Sequence, residues 1–142
     1  MNIEKFENCV IPILFNKTNK ELTKVYDELL KPYGLSKFHG FYLICLQKNP
    51  QGLKLNDINH IIGCDKANTS RAITDLENKG FIIKVFDNCN EKKYMVKLSE
   101  QGSDIAGKFV ENIRKVSNSM LDKLTEEEQS QFVYLIQKMY GE

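Results

Sequence analysis

The sequence has no long apolar run. Its longest, Phe41 to Leu46, is far shorter than the roughly 20 residues needed to cross a bilayer. The stretch from Met1 to Glu7 carries Glu4 and Glu7 beside a single Lys5. It lacks the basic start and small-residue cleavage site of a signal peptide, so the expectation is a cytoplasmic protein that makes no membrane contact. Glycine and proline are scarce, at eight and three residues. That excludes a collagen-like chain and, with long stretches of 3.6-residue periodicity, favours a mostly helical one. The four cysteines, Cys9, Cys45, Cys64 and Cys89, are widely spaced with no C-x-x-C, so free thiols are expected. There is no G-x-S-x-G, no glycine-rich phosphate loop and no His-Glu-x-x-His, which argues against an enzyme and against a bound cofactor or metal. Of the two histidines, His39 lies near a helix start and reads as a partly exposed helix residue. His60 and Cys64 are four apart, but Gly63 breaks the helix between them and further metal ligands are not evident.

What is present is ordinary globular composition, 42% hydrophobic and 27% charged over 142 residues, enough for one domain with its own core. The net charge of +1 hides an uneven distribution. Residues 31–98 hold 11 basic and 6 acidic residues, or +5, whereas 1–30 come to −1 and 99–142 to −3. A basic middle between acidic ends points to one region that faces a polyanion.

Periodicity and punctuation divide the chain into elements. A first helical segment runs to about Leu30 with Leu22, Val25, Tyr26, Leu29 and Leu30 on one face. Pro12 kinks its early part or sits in its first turn, and Pro32 and Gly34 stop it. Ser36 caps a second helix with Phe38, Phe41, Tyr42, Cys45 and Leu46 inward, and Asn49-Pro50-Gln51-Gly52 is a turn. A short helix follows Leu55, carries Ile58, Ile61 and Ile62, and ends at Gly63. Asp65 caps a fourth helix that ends at Lys79-Gly80, with Ala72, Ile73 and Leu76 as its apolar stripe. Two β-prone runs, Phe81 to Phe86 and Tyr94 to Leu98, flank a polar, basic turn segment over 87–93. Ser99 caps a long fifth helix whose Ile105, Phe109, Ile113, Val116, Met120 and Leu124 step by four and three, the pattern of a helix–helix seam. Thr125-Glu126-Glu127-Glu128 is a capping box for a sixth helix bearing Phe132, Val133, Leu135, Ile136, Met139 and Tyr140.

Helix, tight turn, polar-faced helix and hairpin in this order form the layout of a winged helix-turn-helix. A major groove about 12 Å wide admits one helix, whose exposed face must offer partners for base edges and phosphates. Lys66, Asn68, Thr69, Ser70, Arg71 and Thr74 on the fourth helix are of the right chemical types, and Lys92 and Lys93 in the wing suit phosphate. Arginine can grip guanine with both arms, and asparagine can do the same for adenine.

Three stretches carry a resemblance to a known family. They are Glu28 to Ser36, Asp65 to Ile82, and Leu98-Ser99-Glu100-Gln101-Gly102. On these the chain resembles MarR-type transcriptional regulators, with the second stretch similar to the family's recognition helix and the third to its leucine–hydroxyl–x–x–glycine step. The likeness spans nearly the whole chain and is weakest before residue 20. It implies a mainly α fold with a small β-hairpin wing, a homodimer, and double-stranded DNA with a pseudo-palindromic operator as partner. The implied division is a dimerisation helix over 1–35, a DNA-binding lobe over 36–98 and dimerisation helices over 99–142, in one continuous chain. Apolar surface on the first, fifth and sixth helices, more than a small winged domain covers by itself, agrees with a dimer. The family wing usually carries Asp-x-Arg where this chain reads Asn90-Glu91-Lys92. Lysine lacks arginine's flat fork, so wing contacts should be more electrostatic.

The resemblance further implies a repressor released by a small-molecule effector, with an aromatic or phenolic molecule as one candidate. Tyr33, Phe38, Tyr42 and Phe109 are candidates for lining its pocket. Two alternatives stand beside this reading. One is a thiol-based redox-sensing regulator using Cys9 or Cys89. Cys9 has Glu7 and Asn8 as neighbours and no cation beside it, whereas Cys89 lies near Lys92 and Lys93. The other is a winged-helix protein-interaction module that does not touch DNA.

Overall fold

The computed structural model describes residues 9–142. Residues 1–8, expected to belong to the N-terminal helical segment, lie outside them. Helix α1 spans Ile11–Leu29, with Pro12 in its first turn, where its missing N–H leaves no hydrogen bond unmade. A single 3₁₀ turn, Lys31–Tyr33, leads to α2, Lys37–Gln47. Helices α3, Leu55–Ile62, and α4, Lys66–Asn78, are separated by Gly63 in the left-handed conformation at φ +71°. Its N–H caps α3 by donating to the Asn59 carbonyl at 2.9 Å. Glycine adopts that conformation at least cost, and the sharp turn it makes sets α4 across α3.

The wing follows as β1, Ile82–Asp87, and β2, Asn90–Leu98, paired antiparallel from Ile82–Leu98 to Phe86–Tyr94. Beyond Phe86 the register shifts and Asp87 pairs with Asn90. The expected seven-residue tip is therefore subdivided. Asn88 and Cys89 make the turn, and Lys92 and Lys93 lie in the shifted stretch of β2. Two side chains organise this end: Asp87 Oδ1 accepts the Cys89 N–H at 2.9 Å, and Asn90 Oδ1 accepts the Lys92 N–H at 3.0 Å. At the base, Leu53 and Val96 exchange both backbone bonds, at 3.0 and 2.8 Å, and tie the segment leading into α3 to the sheet.

Helix α5, Glu100–Leu121, opens on the Leu98-Ser99-Glu100-Gln101-Gly102 step. Ser99 Oγ accepts the Gly102 N–H at 3.0 Å and donates to the Gly80 carbonyl at 2.6 Å, while the Ser99 N–H donates to the Phe81 carbonyl at 3.0 Å. The glycine is required by space. A Cβ at 102 would stand 1.8 Å from the Phe81 carbonyl oxygen, well inside van der Waals contact. Helix α6, Glu126–Met139, opens on the expected box: Glu128 N–H donates to Thr125 Oγ1 at 3.2 Å and Thr125 N–H to Glu128 Oε2 at 2.8 Å.

The core gathers around α2. Tyr42, Leu43 and Leu46 meet Val25, Tyr26 and Leu30 from the first helical segment, Ile58 from α3, Ile73 and Leu76 from α4, Val96 from the wing, and Ile105 and Phe109 from α5. Each large apolar side chain buried there contributes about 1.5–3 kcal/mol against the entropy of ordering the chain. Gly40 lets α2 approach α5 closely, since a Cβ there would lie 2.8 Å from Phe109 Cζ.

Several positions depart from the periodicity. Phe38, Phe41 and Ile61 fall on its inward stripe, yet they are exposed. Within α2 the burial turns toward Gly40 and Leu43 instead, because α5 and the first helix pack on that side. The seam on α5 is split. Ile105 and Phe109 are buried by this chain's own α1 and α2, and Ile113 and Val116 pack partly against the same core. Ile105 and Phe109 are thereby closed to a second chain, Ile113 and Val116 are half-covered, and Leu124 falls beyond the helix end. Conversely, no residue of α6 is buried, and Phe132, Val133, Leu135 and Met139 stay exposed, as do Ile11, Ile13, Leu14 and Phe15 on α1. Among the described residues no helix is long and apolar enough to cross a membrane.

Candidate nucleic-acid interface

Helix α4 is amphipathic in a way its sequence only half shows. Ile73 and Leu76 anchor it, and Thr69 joins them, fully buried, one turn earlier. The Thr69 hydroxyl faces the Tyr42 hydroxyl at 3.1 Å, so a threonine expected on the DNA-reading face instead locks α4 to α2. Burial pushes the Tyr42 phenol above its ordinary pKa. The signal was present as the 69, 73, 76 spacing of a buried stripe, but a hydroxyl in its first place reads as surface. The opposite face keeps Lys66, Asn68, Ser70, Arg71 and Thr74 on the outside together, all at least partly open to solvent.

The start of α4 is closely organised. Asp65 Oδ1 accepts the Asn68 N–H at 2.7 Å, and Arg71 Nη2 donates to Asn68 Oδ1. Thr74 Oγ1 is turned back to the Ser70 carbonyl at 2.9 Å. Two lysines of the basic middle are engaged internally. Lys84 Nζ lies 2.8 Å from Glu77 Oε2, bracing the wing against α4, and Lys79 Nζ lies 3.6 Å from Asp75 Oδ1. Lys92 and Lys93 are exposed, and with Lys54 they line a cleft of about 570 Å³ between the start of α3 and the wing. Lys54 carries no sequence signal for this role, because it is far from Lys92 along the chain and lies in no motif.

Of the four aromatic residues expected to line an effector pocket, Phe38 and Tyr42 border one cavity of about 400 Å³ between α2 and α4, with His39, Cys64, Asn68 and Arg71. Phe109 and Tyr33 are elsewhere. Phe109 is fully buried against Tyr26, with ring centroids 5.3 Å apart, and Tyr33 meets Phe81 edge-on at 5.9 Å. The cysteines are free, with Cys9 and Cys89 exposed and Cys45 buried. Among the described residues no three His, Cys, Asp or Glu side chains cluster where they could hold a metal.

No family model matches the chain. The HTH-type transcriptional regulator BilQ of Clostridioides difficile (strain CD3) is 30% identical over 111 residues, covering 78% of this chain and 74% of that protein. A MarR/EmrR family transcriptional regulator from Acinetobacter sp. ADP1 superposes with a TM-score of 0.77 at 22% identity, over 99% of this chain and 96% of that one. This chain belongs to the MarR family of winged helix-turn-helix transcriptional regulators. The MepR–DNA complex of S. aureus shares the fold, with a TM-score of 0.76 at 22% identity over 92% of this chain and 96% of that one.

One further contact in this MarR-family chain has a measurable consequence. His39, at the third position of α2, accepts the Ser36 N–H on Nδ1 at 2.9 Å and faces Asp75 Oδ2 through Nε2 at 2.9 Å. That pairing fits the neutral ring with its proton on Nε2, and it joins the start of α2 to the middle of α4. Burial depresses the His39 pKa below its ordinary 6.5, Asp75 opposes that shift, and Lys79 adds to it. The unfolded chain therefore takes up this proton more readily than the folded one. The contribution is fully present above 6.5 and is lost as pH falls from there through the depressed folded value. His39→Gln keeps an acceptor for Ser36 and cannot titrate. Urea unfolding should show a smaller loss of stability between pH 7 and pH 5 in the variant than in the wild type, and equal losses would exclude this origin.

Proposed function

We propose that this regulator is a homodimer that reads a pseudo-palindromic DNA operator with α4, clamps it with the wing, and acts as a repressor released by a small effector. The observation that carries the proposal is the joint display of Lys66, Asn68, Ser70, Arg71 and Thr74 on one face of a helix whose other face is locked into the core. Rigid presentation of polar side chains is what base reading needs, and the lysines around the wing cleft suit phosphate. MepR, a structural neighbour, was solved with DNA, which supports the same partner here. In this proposal residues 36–98 form the DNA-binding lobe, and 1–35 and 99–142 serve dimerisation.

The dimer reading rests on the apolar side chains left uncovered on α6 and the start of α1. A face that mixes Phe132, Val133, Leu135 and Met139 is costly to leave in water, and a two-fold partner covers it with the same face. For release, the cavity bordered by Phe38 and Tyr42 also includes Asn68 and Arg71, so an occupant competes with DNA for the same side chains. The test uses a duplex selected from random-sequence DNA by the protein itself. Sedimentation at micromolar concentration should give twice the chain mass, and titration of the selected duplex should saturate at two chains per duplex. A clean monomer that binds as one chain would remove the two-fold operator from the proposal.

A further inference from the structure

The Asp65 carboxylate makes two bonds at the start of α4, and one of them is superfluous for capping. Oδ1 accepts the Asn68 backbone N–H at 2.7 Å, which satisfies the helix end. Oδ2 accepts from Asn68 Nδ2 at 2.6 Å. This second bond fixes which way the amide points. With its nitrogen committed to the carboxylate, Asn68 turns its Oδ1 toward Arg71 and accepts from Nη2. Three residues spaced by three along the helix thus form a chain of hydrogen bonds from a backbone cap to a guanidinium. A free arginine carries about 2 kcal/mol of rotamer entropy, part of which binding must remove. A side chain already held on the helix surface loses less.

We propose that Asp65 is a positioning residue for base reading, holding Arg71 through Asn68 in the orientation that meets a base edge. On this assignment Asn68 is the link in that chain and not an independent reader of adenine. The inference rests on Arg71 being the base-reading residue of the proposed function.

Two variants break the chain while sparing the cap. Asp65→Asn is isosteric and retains a capping oxygen, but it presents an amide nitrogen to Asn68, whose own amide then turns and shows Arg71 a donor. Asn68→Ala removes the link and leaves its backbone N–H on Asp65. The measured quantity is the affinity ratio of the selected duplex to its scrambled counterpart, alone and combined with Arg71→Ala. Removing the Asp65 charge strengthens binding to any duplex, so the ratio, not the affinity, is diagnostic. The ratio should fall roughly 3- to 10-fold in each variant, with the melting temperature nearly kept, and neither should lower it further once Arg71 is alanine. An unchanged ratio in both variants, with a lowered one in Arg71→Ala, would show that Arg71 orients itself and overturn the inference. So would a loss that persists undiminished in the Arg71→Ala background, since that marks a general effect on the helix. If Arg71→Ala alone leaves the ratio unchanged, the base-reading assignment itself fails and takes this inference with it.

Discussion

Gly102→Ala should destabilise the protein by about 3 kcal/mol or more, lowering the melting temperature by roughly 10 °C. The added methyl would meet the Phe81 carbonyl oxygen at 1.8 Å, and neither side can yield easily. The carbonyl belongs to the strand-leading residue whose oxygen also takes the Ser99 N–H, and Gly102 is held by Ser99 Oγ. Relief requires backing the first turn of α5 away from the wing, which gives up both bonds and uncovers buried Phe81 and Ile82. At Gly107, farther along the same helix, an added methyl would have nothing within 4 Å. Alanine there should leave stability unchanged or raise it by up to about 1 kcal/mol through helix propensity alone. Thermal melts of both variants separate close approach from propensity, and equal melting temperatures would show that the approach at 102 is not tight.

Arg71→Ala should cost about 1–3 kcal/mol per half-site on the selected duplex, roughly 5- to 150-fold, and relax preference at one or two base positions. Scrambled DNA should lose far less, because phosphate contacts position a protein without reading sequence. Lys93→Ala should do the opposite. It should weaken all sequences about equally and shallow the dependence of log affinity on log salt by roughly 1 for each phosphate no longer neutralised, or about 2 for a dimer. Fluorescence anisotropy at several salt concentrations on both duplexes reads both effects. If Lys93→Ala collapsed the ratio and Arg71→Ala spared it, reader and clamp would be exchanged. If neither altered binding, α4 and the wing would not be the DNA-contacting surface.

Local chemistry made much of this architecture legible. Gly63 and Asp65 bracket the turn between α3 and α4 because a left-handed C-cap favours glycine and an N-cap favours a short side chain with an accepting oxygen. The β-prone runs from Phe81 to Phe86 and from Tyr94 to Leu98 match the regular ladder except at Phe81, which lies just before β1. What escaped was the effect of distant partners on individual side chains. Thr69 looks like a reader until Tyr42, 27 residues earlier, takes its hydroxyl. Lys84 adds to the basic count but is turned to Glu77. The α5 seam shows the same ambiguity, since a stripe stepping by four and three does not say whether its partner is another chain or the same one. Phe109 proves to be buried by its own chain.

The root of the wing sets one more property. Gly80, Phe81, Ser99 and Gly102 tie both ends of the hairpin to the first turn of α5. In the proposed dimer, joined through the exposed apolar side chains of α6 and the start of α1, the way the two chains pack there would fix how far apart the two wings stand. Operator half-sites repeat at about 10–10.5 base pairs per turn of the duplex. On the proposed function, the tolerated spacer between half-sites would be set at the subunit interface, far from any base, while α4 would read the bases within each half. Substitutions on the exposed apolar side chains of α6 would accordingly change which half-site spacings the proposed dimer accepts, with the residues of α4 untouched.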